Sequence, residues 1–313
     1  MPINPWRLRL LCELETLGTV RAVAEAVHQS ASSVSQQLSL LESEVGTRLI
    51  ERTGRSVRLT PNGHLLAKRG RAILDAMTEA RAELHAVDNE PTGMVRVASF
   101  QSAIHSLVVP TVAALRKKHP AVEVHVEELE PNESSNALLR GHVDAIITTE
   151  DVFEAPLRSE FDVVPLLTDS IVLVLPPGHP ATRLETVNLS TLADESWTFE
   201  PEGLYMSSLA IQLCRAAGFE PRIICRFNSY LIALQHIEAG GSIALLPELA
   251  VDRRYNVVTR ELRSAYRRQV VGAVRSTSAT RAAVRVVLDR LREAAAGLPG
   301  SADEARAAEE LRP

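Results

Sequence analysis

Apolar side chains near the start of the chain recur every three to four positions, the spacing of helices that bury one face. Trp6, Leu10, Leu14 and Leu17 predict a first helix over residues 6–17 that seats two neighbours. Thr19 can cap a second helix running to about Val27, with Val20, Val23, Ala24 and Val27 on its apolar side. After the polar break His28-Gln29-Ser30, Ser30 caps a third helix. That helix buries Val34, Leu38 and Leu41 and turns Ser32, Ser33, Ser35, Gln36 and Ser39 outward. Two short helices around a tight turn, the second polar on its free face, form a helix-turn-helix. Two strand-like runs around Thr53-Gly54 then predict a hairpin wing carrying Arg48, Arg52, Arg55 and Arg58. The bland alternative is a helical hairpin with a solvated basic loop. Thr60-Pro61 opens a long helix with Leu66, Ile73, Met77, Ala80, Leu84 and Val87 along one stripe, up to Asn89-Glu90-Pro91. A stripe with no local partner predicts a seam between subunits; the alternative is packing on the chain's own body.

Past the hinge-like Pro91-Thr92-Gly93, strand and helix patterns alternate, which predicts an α/β body with mostly parallel strands. Strands are expected at Met94–Ala98, Val122–Val126 and about Gly141–Ile147, and helices at Ala103–Lys118 and about Glu133–Arg140. A second lobe starts near Val163–Leu166. It has strands at Ser170–Leu175, Trp197–Phe199, Arg222–Arg226 and Ser242–Leu246, and helices at Ser207–Ala217 and Tyr230–Ala239. The chain returns to the first lobe at Gln269–Arg275 and ends in a helix from Ala279 to about Ala296, before an Ala-, Glu- and Arg-rich tail, 297–313, expected to be flexible. The parts are a reading unit at 1–60, a linker helix at 61–90 and a body at 92–296. Within the body, lobe I takes 92–162 and 268–296, and lobe II takes 163–267.

Composition adds two constraints. At 313 residues, 45% hydrophobic and 23% charged, the chain reads as a soluble multidomain protein. It has no run long enough to span a bilayer and no signal-peptide form, so the cytoplasm is expected. The net charge of −5 at first disfavours nucleic acid, but its distribution reverses that. Of 34 Lys and Arg and 39 Asp and Glu, residues 1–71 hold ten and six, a balance of +4. The remainder holds 24 against 33, or −9. A basic head on an acidic body points the correct end at DNA. Cys12, Cys214 and Cys225 lack metal-ligand spacing, and packing is the expected role of Cys214 and Cys225, with a redox pair as the alternative.

The outward face of the third helix carries groups that donate and accept hydrogen bonds. Gln pairs with adenine in bidentate fashion and Ser is compatible with either base, while wing guanidinium groups grip phosphate. The run Ser32-Ser33-Val34-Ser35-Gln36-Gln37-Leu38, then Leu41-Glu42, Gly46, Leu49, Arg52, Leu59-Thr60 and Gly63, resembles the amino-terminal signature of LysR-type transcriptional regulators. The resemblance runs without a gap from Leu8 to about Leu74. Ala31 stands where that family often has Gln, and Ser39-Leu40 where basic residues are common, so the resemblance carries DNA binding rather than a particular operator. It implies an N-terminal winged helix-turn-helix, a linker helix that dimerises antiparallel, and a two-lobed α/β periplasmic-binding-protein-like effector domain. It further implies a regulator of transcription that is no enzyme, with double-stranded promoter DNA, a small-molecule effector, its own copies as dimer and tetramer, and RNA polymerase as partners. The DNA-contacting set is Thr19, Arg21, Ser30, Ser32, Ser33, Ser35, Gln36, Gln37, Arg52, Arg55 and Arg58, led by Ser35 and Gln36 for bases.

Ligands in open α/β lobes collect at the carboxyl ends of strands. That places Ser99, Gln101, Ser102, Thr148 and Thr149 of lobe I opposite Phe199, Asn228 and Ser229 of lobe II. For each, capping or turn formation is the competing role. Glu150 and Asp151 beside hydroxyls suit an ammonium group or a solvated turn. The scattered histidines show no HxxxH or HExxH pair, and neither a GxSxG nor a phosphate-binding glycine loop occurs, so no catalysis, cofactor or metal is expected. The rival reading is an effector-independent regulator whose body serves only for oligomerisation.

Overall fold

The computed structural model describes residues 2–53, 56–85, 91–153 and 158–298. Its first part consists of α1 (Pro5–Leu17), α2 (Val20–Ala26), α3 (Ala31–Val45), a hairpin of β1 (Ile50–Thr53) and β2 (Ser56–Leu59), and α4 (Pro61–His85). Short-range chemistry sets the helix starts. Asn4 Oδ1 accepts from the Trp6 and Arg7 amides, Thr19 Oγ1 from Ala22 N at 3.1 Å, and Ser30 Oγ from Ser33 N at 3.1 Å. Thr60 Oγ1 accepts from Gly63 N at 3.1 Å. The turn between α2 and α3 places His28 at φ 52°, a left-handed conformation that few non-glycine residues adopt.

The core of this head joins Leu10, Leu11 and Leu14 of α1 to Val23, Val34, Leu38, Leu41, Leu49 and Ala67. Trp6 and Leu17, expected inside, are exposed. Because α1 is covered on two sides, by α3 and by α4, its buried stripe shifts to Leu8 and Leu11. The Leu8 side chain lies so close to α4 that a Cβ on Gly70 would sit 2.6 Å from it. Gly63 is tighter: its Cβ would lie 2.2 Å from the Leu49 carbonyl oxygen, so only glycine lets α4 start against the wing. Leu66 and Leu74 pack against the head, whereas Ile73 and Met77 are 45% and 49% exposed. The expected stripe therefore divides. Its later members Leu84 (side chain) and Val87 lie outside the described residues.

The body runs β3 (Gly93–Ser99), α5 (Gln101–Ala103), α6 (Val109–Lys118), β4 (Val122–Glu128), α7 (Pro131–Leu139) and β5 (Ala145–Thr149). It crosses over on β6 (Phe161–Leu175) and continues through β7 (Thr186–Val187), β8 (Ser196–Phe199), α8 (Tyr205–Ala216), β9 (Arg222–Arg226), α9 (Tyr230–Glu238), β10 (Ala244–Pro247) and β11 (Val258–Leu262). It returns on β12 (Tyr266–Arg275) and ends in α10 (Ala282–Ala296). The largest sheet has the order β4-β3-β5-β12-β6-β11-β7, with β10 also on β6. The expectation of mostly parallel strands needs correcting. β3 pairs in parallel with β4 and β5, and β7 with β11, but β12 is antiparallel to both β5 and β6, and β10 and β11 are antiparallel to β6. The crossing and return strands run in opposite directions between the lobes, which makes the sheet mixed.

Lobe I closes around Val95, Val97, Leu107, Ile147, Val284, Val287 and Leu291, and lobe II around Leu173, Leu175, Trp197, Phe199, Met206, Cys214 and Leu245. The helix expected at Ala103–Lys118 starts earlier and contains a π-turn at Ile104–Val108 between α5 and α6. Asp144, buried before β5, gathers Arg281 at 2.9 Å and Arg96 at 3.1 Å, with Arg275 at 3.9 Å. Burial alone would raise its carboxyl pKa, but hydrogen bonds and charge from Arg96, with Arg281 behind, outweigh burial and hold it below the ordinary value. The head rests on lobe I through Arg71. Its guanidinium binds Cys12 O and Thr16 Oγ1 of α1 and pairs with Glu15 at 2.8 Å. Its stem lies over Gly141, where a Cβ would meet Arg71 Cδ at 2.5 Å.

Candidate nucleic-acid interface and inter-lobe cleft

On α3, Ser35 and Gln36 are exposed and make no side-chain hydrogen bond among the described residues. Their neighbours are engaged. Ser33 Oγ donates to Gln29 Oε1 at 2.8 Å, Ser32 Oγ pairs with Ser30 Oγ at 2.9 Å, and Ser39 Oγ donates to Ser35 O at 3.1 Å. Gln37, placed in the base-contacting set, is instead half-buried and accepts from Arg7 Nε at 2.9 Å, next to an Arg7–Glu44 ion pair. It holds α1 against α3. Thr19 is exposed as the α2 cap, and Arg21 is exposed and paired with Glu25 at 3.0 Å.

The wing is an antiparallel ladder from Ile50↔Leu59 to Thr53↔Ser56. Glu42 of α3 fixes its base, Oε1 accepting from Leu49 N at 2.8 Å and Ile50 N at 3.0 Å. One carboxylate thus ties the reading helix to the wing, beside the packing of Leu49 and Leu59 on the head. Arg48 and Arg58 are exposed on the hairpin and its approach. Arg52 sits in β1 with its side chain outside the described residues, and Arg55 with Gly54 lies outside them altogether.

In the body, the expected loops meet between the lobes. Gln101 spans the gap, its Oε1 accepting from Tyr230 N at 2.9 Å and its Nε2 donating to Asn228 O and Glu128 Oε1, both at 3.4 Å. Ser102 is buried and its Oγ accepts from Arg268 at 2.7 Å. Ser99 is buried at the end of β3, and Thr148 accepts from Ser134 Oγ at 2.9 Å, so both serve packing in lobe I. Thr149 is fully buried and its hydroxyl finds no well-formed hydrogen bond, with the Tyr205 phenol beside it. Phe199 is a core residue set edge-on to Trp197. Asn228 is exposed, and Ser229 starts α9 without a side-chain cap. Glu150 pairs with Arg158, and Asp151 accepts from Tyr205 OH at 3.0 Å, so these two are turn and latch residues.

Residues that the sequence pattern did not single out complete the cleft. Arg268 is held by Asp169 through Nε at 3.0 Å and Nη2 at 2.7 Å, and stacks on Phe100 at 4.5 Å. Glu130 of lobe I accepts from Tyr205 N at 3.0 Å, at the amino end of α8. Burial raises its carboxyl, and Glu128 and Glu133 add to that. Glu200 is pushed to about 7 by burial first, with Glu130 and Glu128 contributing against the lowering effects of Tyr230 and Arg268. The only cue in the sequence is position, since Glu130 follows β4, Glu200 follows β8 and Arg268 opens the return strand. Burial pushes the Cys214 thiol up to about 12, while half-buried Cys225 places Sγ 3.6 Å from His236 Nε2. Among the described residues no group of His, Cys, Asp or Glu is arranged to hold a metal ion, and no helix is long and apolar enough to cross a membrane.

Residues 6–64 match the family described as bacterial regulatory helix-turn-helix protein, lysR family, and residues 88–296 match the LysR substrate binding domain. Among curated relatives, the regulator GbpR of Rhizobium radiobacter is 33% identical over 76% of this chain and 79% of its own. AlsR of Bacillus subtilis is 29% identical over 76% of this chain and 81% of its own. Of solved structures, full-length OxyR from Pseudomonas aeruginosa superposes with a TM-score of 0.70 at 23% identity, covering 93% of this chain and 98% of the other. CbnR complexed with its target DNA gives 0.56 at 20% identity, over 93% and 99%.

Proposed function

The chain belongs to the LysR family of transcriptional regulators, and from that premise we propose how its own residues divide the work. It is a DNA-binding regulator of transcription whose activity answers to a small-molecule effector. The reading unit is 1–60, the linker helix 61–90, and the effector domain 92–296. The free face of α3 enters a major groove, where Ser35 and Gln36 read base edges and Ser32 stands beside them. Arg52, Arg55 and Arg58 neutralise phosphates from the wing; Thr19, Arg21, Ser30 and Ser33 lie along the same DNA-facing side. Gln37 stays in the set only as a positioning residue through Arg7. One observation carries the assignment: Ser35 and Gln36 remain unengaged on a helix whose neighbouring polar side chains are bonded within the head.

Two copies pair through the bare stripe Ile73, Met77 and Ala80 of α4, presenting two reading heads to an imperfect palindrome, and dimers pair into tetramers. The effector lies between lobes I and II, touching Gln101 and Thr149 from one side and the Asn228–Ser229 loop from the other. It biases an equilibrium between two assemblies, which alters promoter bending and the approach of RNA polymerase in the cytoplasm, by binding rather than turnover.

The test is fluorescence anisotropy on a randomised operator set at several salt concentrations. Gln36→Ala is expected to relax preference at one base position by about 1–3 kcal/mol. Arg58→Ala is expected to weaken every sequence alike and reduce the salt slope by about one. A uniform loss from Gln36→Ala removes it from the base-reading set.

A further inference from the structure

The seam between the lobes holds more negative charge than its cations balance. Glu128 and Glu130 approach from the end of β4 and Glu200 from the end of β8, near enough that Glu128 raises the cost of ionising Glu130, and both raise that of Glu200. Arg268 faces them, but its charge is already matched by Asp169, whose Oδ2 accepts from two of its N–H groups, and both side chains are almost fully buried. Arg226, beside the seam, holds the Glu200 carbonyl oxygen at 2.7 Å and pairs with Glu202 at 3.1 Å.

The places where an anion would dock are filled from within. Two lobe II helices start at this seam, and helix starts are natural anion sites because their amides lack partners. At α8 the Tyr205 amide is occupied by Glu130 Oε2, and at α9 the Tyr230 amide is occupied by Gln101 Oε1. A carboxylate or phosphate ligand would have to displace both while facing Glu128 and Glu200. A separate observation shows where a polar ligand group would be received. Among the described residues the Thr149 hydroxyl, fully buried at the end of β5, meets no partner in full hydrogen-bond geometry and interacts with the Tyr205 phenol alone, which leaves it a lone pair to offer a ligand N–H.

We propose that the effector of this cleft is a cation, an amine, amidine or guanidine, whose N–H groups are received by Glu200, Glu130 and Thr149. This rests on the reading of the cleft as the effector site. Without a ligand, a proton takes the place of the cation. Burial and the neighbouring carboxylates bring the Glu200 carboxyl to about 7, with Tyr230 hydrogen-bonded to it and Arg268 opposing the rise. A cation that enters replaces that proton, so binding is coupled to proton release.

The experiment uses the full-length protein with three cationic probes, putrescine, agmatine and benzamidine, and three anionic ones, acetate, benzoate and phosphate. Thermal shift is followed by isothermal titration at pH 7 in two buffers of different ionisation enthalpy. At least one cation is expected to raise the melting temperature and to release roughly half a proton per site at pH 7. Glu200→Gln, nearly isosteric, is expected to weaken that cation by roughly tenfold or more and to abolish the proton release. Thr149→Val, with the carboxylates intact, is expected to weaken it without changing the proton count, and circular dichroism checks that both variants fold. Silence from all three cations overturns the proposal, as does a cation bound equally well by Glu200→Gln. Binding of an anion alone overturns the charge assignment and leaves the cleft as effector site. Any ligand whose shift survives both Glu200→Gln and Gln101→Ala overturns the cleft reading itself.

Discussion

Asp144 carries a stability argument that one carboxylate can test. It is buried among Arg96, Arg275 and Arg281, and its carboxyl is held below the ordinary value. A lowered folded-state pKa contributes stability that is complete above the unfolded value, about 3.9, and is lost as pH falls through the folded value. Replacing Asp144 by Ala leaves buried guanidinium groups uncompensated, at an expected cost of about 3–5 kcal/mol in urea unfolding at neutral pH. Asp144→Asn is expected to flatten the fall in stability below about pH 4, and an unaltered acid limb sinks the assignment. The sequence places Asp144 in the turn before a strand and no more. Its partners stand 48 and 137 positions away, so the cluster exists only once β12 and α10 have returned to lobe I. The caps Thr19, Ser30 and Thr60 were legible because each binds an amide three residues on. For Glu200 the sequence offers only its position after a strand, since the groups that perturb its carboxyl come from the end of β4 and from α9 and β12.

Among elements, α4 combines two surfaces in one helix of 25 residues. Its first turns fit the head through Gly63, Ala67 and Gly70, and its later turns leave Ile73 and Met77 bare. Ile73→Asp with Met77→Asp is expected to yield monomers in sedimentation velocity, because like charges would then face each other across a paired seam, while circular dichroism stays unchanged. An unaltered sedimentation coefficient would remove α4 from the interface. Periodicity found this helix and most of the others, and it failed where the backbone departs from period. The π-turn at Ile104–Val108 inserts an extra residue that an apolar stripe does not reveal. The sequence pattern predicts only the second half of β6, Ser170–Leu175, with Val163–Leu166 as the start of the lobe. The strand continues because Pro165 sits beside a register shift opposite Val270 and Val271, where a missing amide is tolerated. β7, two residues at the edge of the sheet, is too short for a pattern, and β11 beside it, VTREL, carries too few apolar residues to make one.

For the whole molecule, side-chain contacts between the lobes add to the continuous strands β6 and β12. Gln101 reaches the α9 start, Glu130 the α8 start, and Tyr205 returns to Asp151. Gln101→Ala is expected to speed amide exchange at Tyr230 by roughly tenfold, since losing one hydrogen bond of about 1 kcal/mol or more shifts a local opening by that order. Unchanged protection there would show that Gln101 adds nothing to the hold between the lobes. That two lobes face one another could be read from strand ends. That they touch through a glutamine could not, because Tyr230 stands 129 positions further along the chain.

Gly141 gives the Arg71 contact a mechanical meaning. With no side chain at that position, the stem of Arg71 lies flat on lobe I while its guanidinium is bolted into α1, so the reading head has a bearing surface rather than a loose tether. A methyl group there would meet Arg71 Cδ at 2.5 Å on a backbone held at φ 69°, so the bearing would have to shift. The pitch between two heads on a promoter would change in proportion, with no residue near the DNA altered.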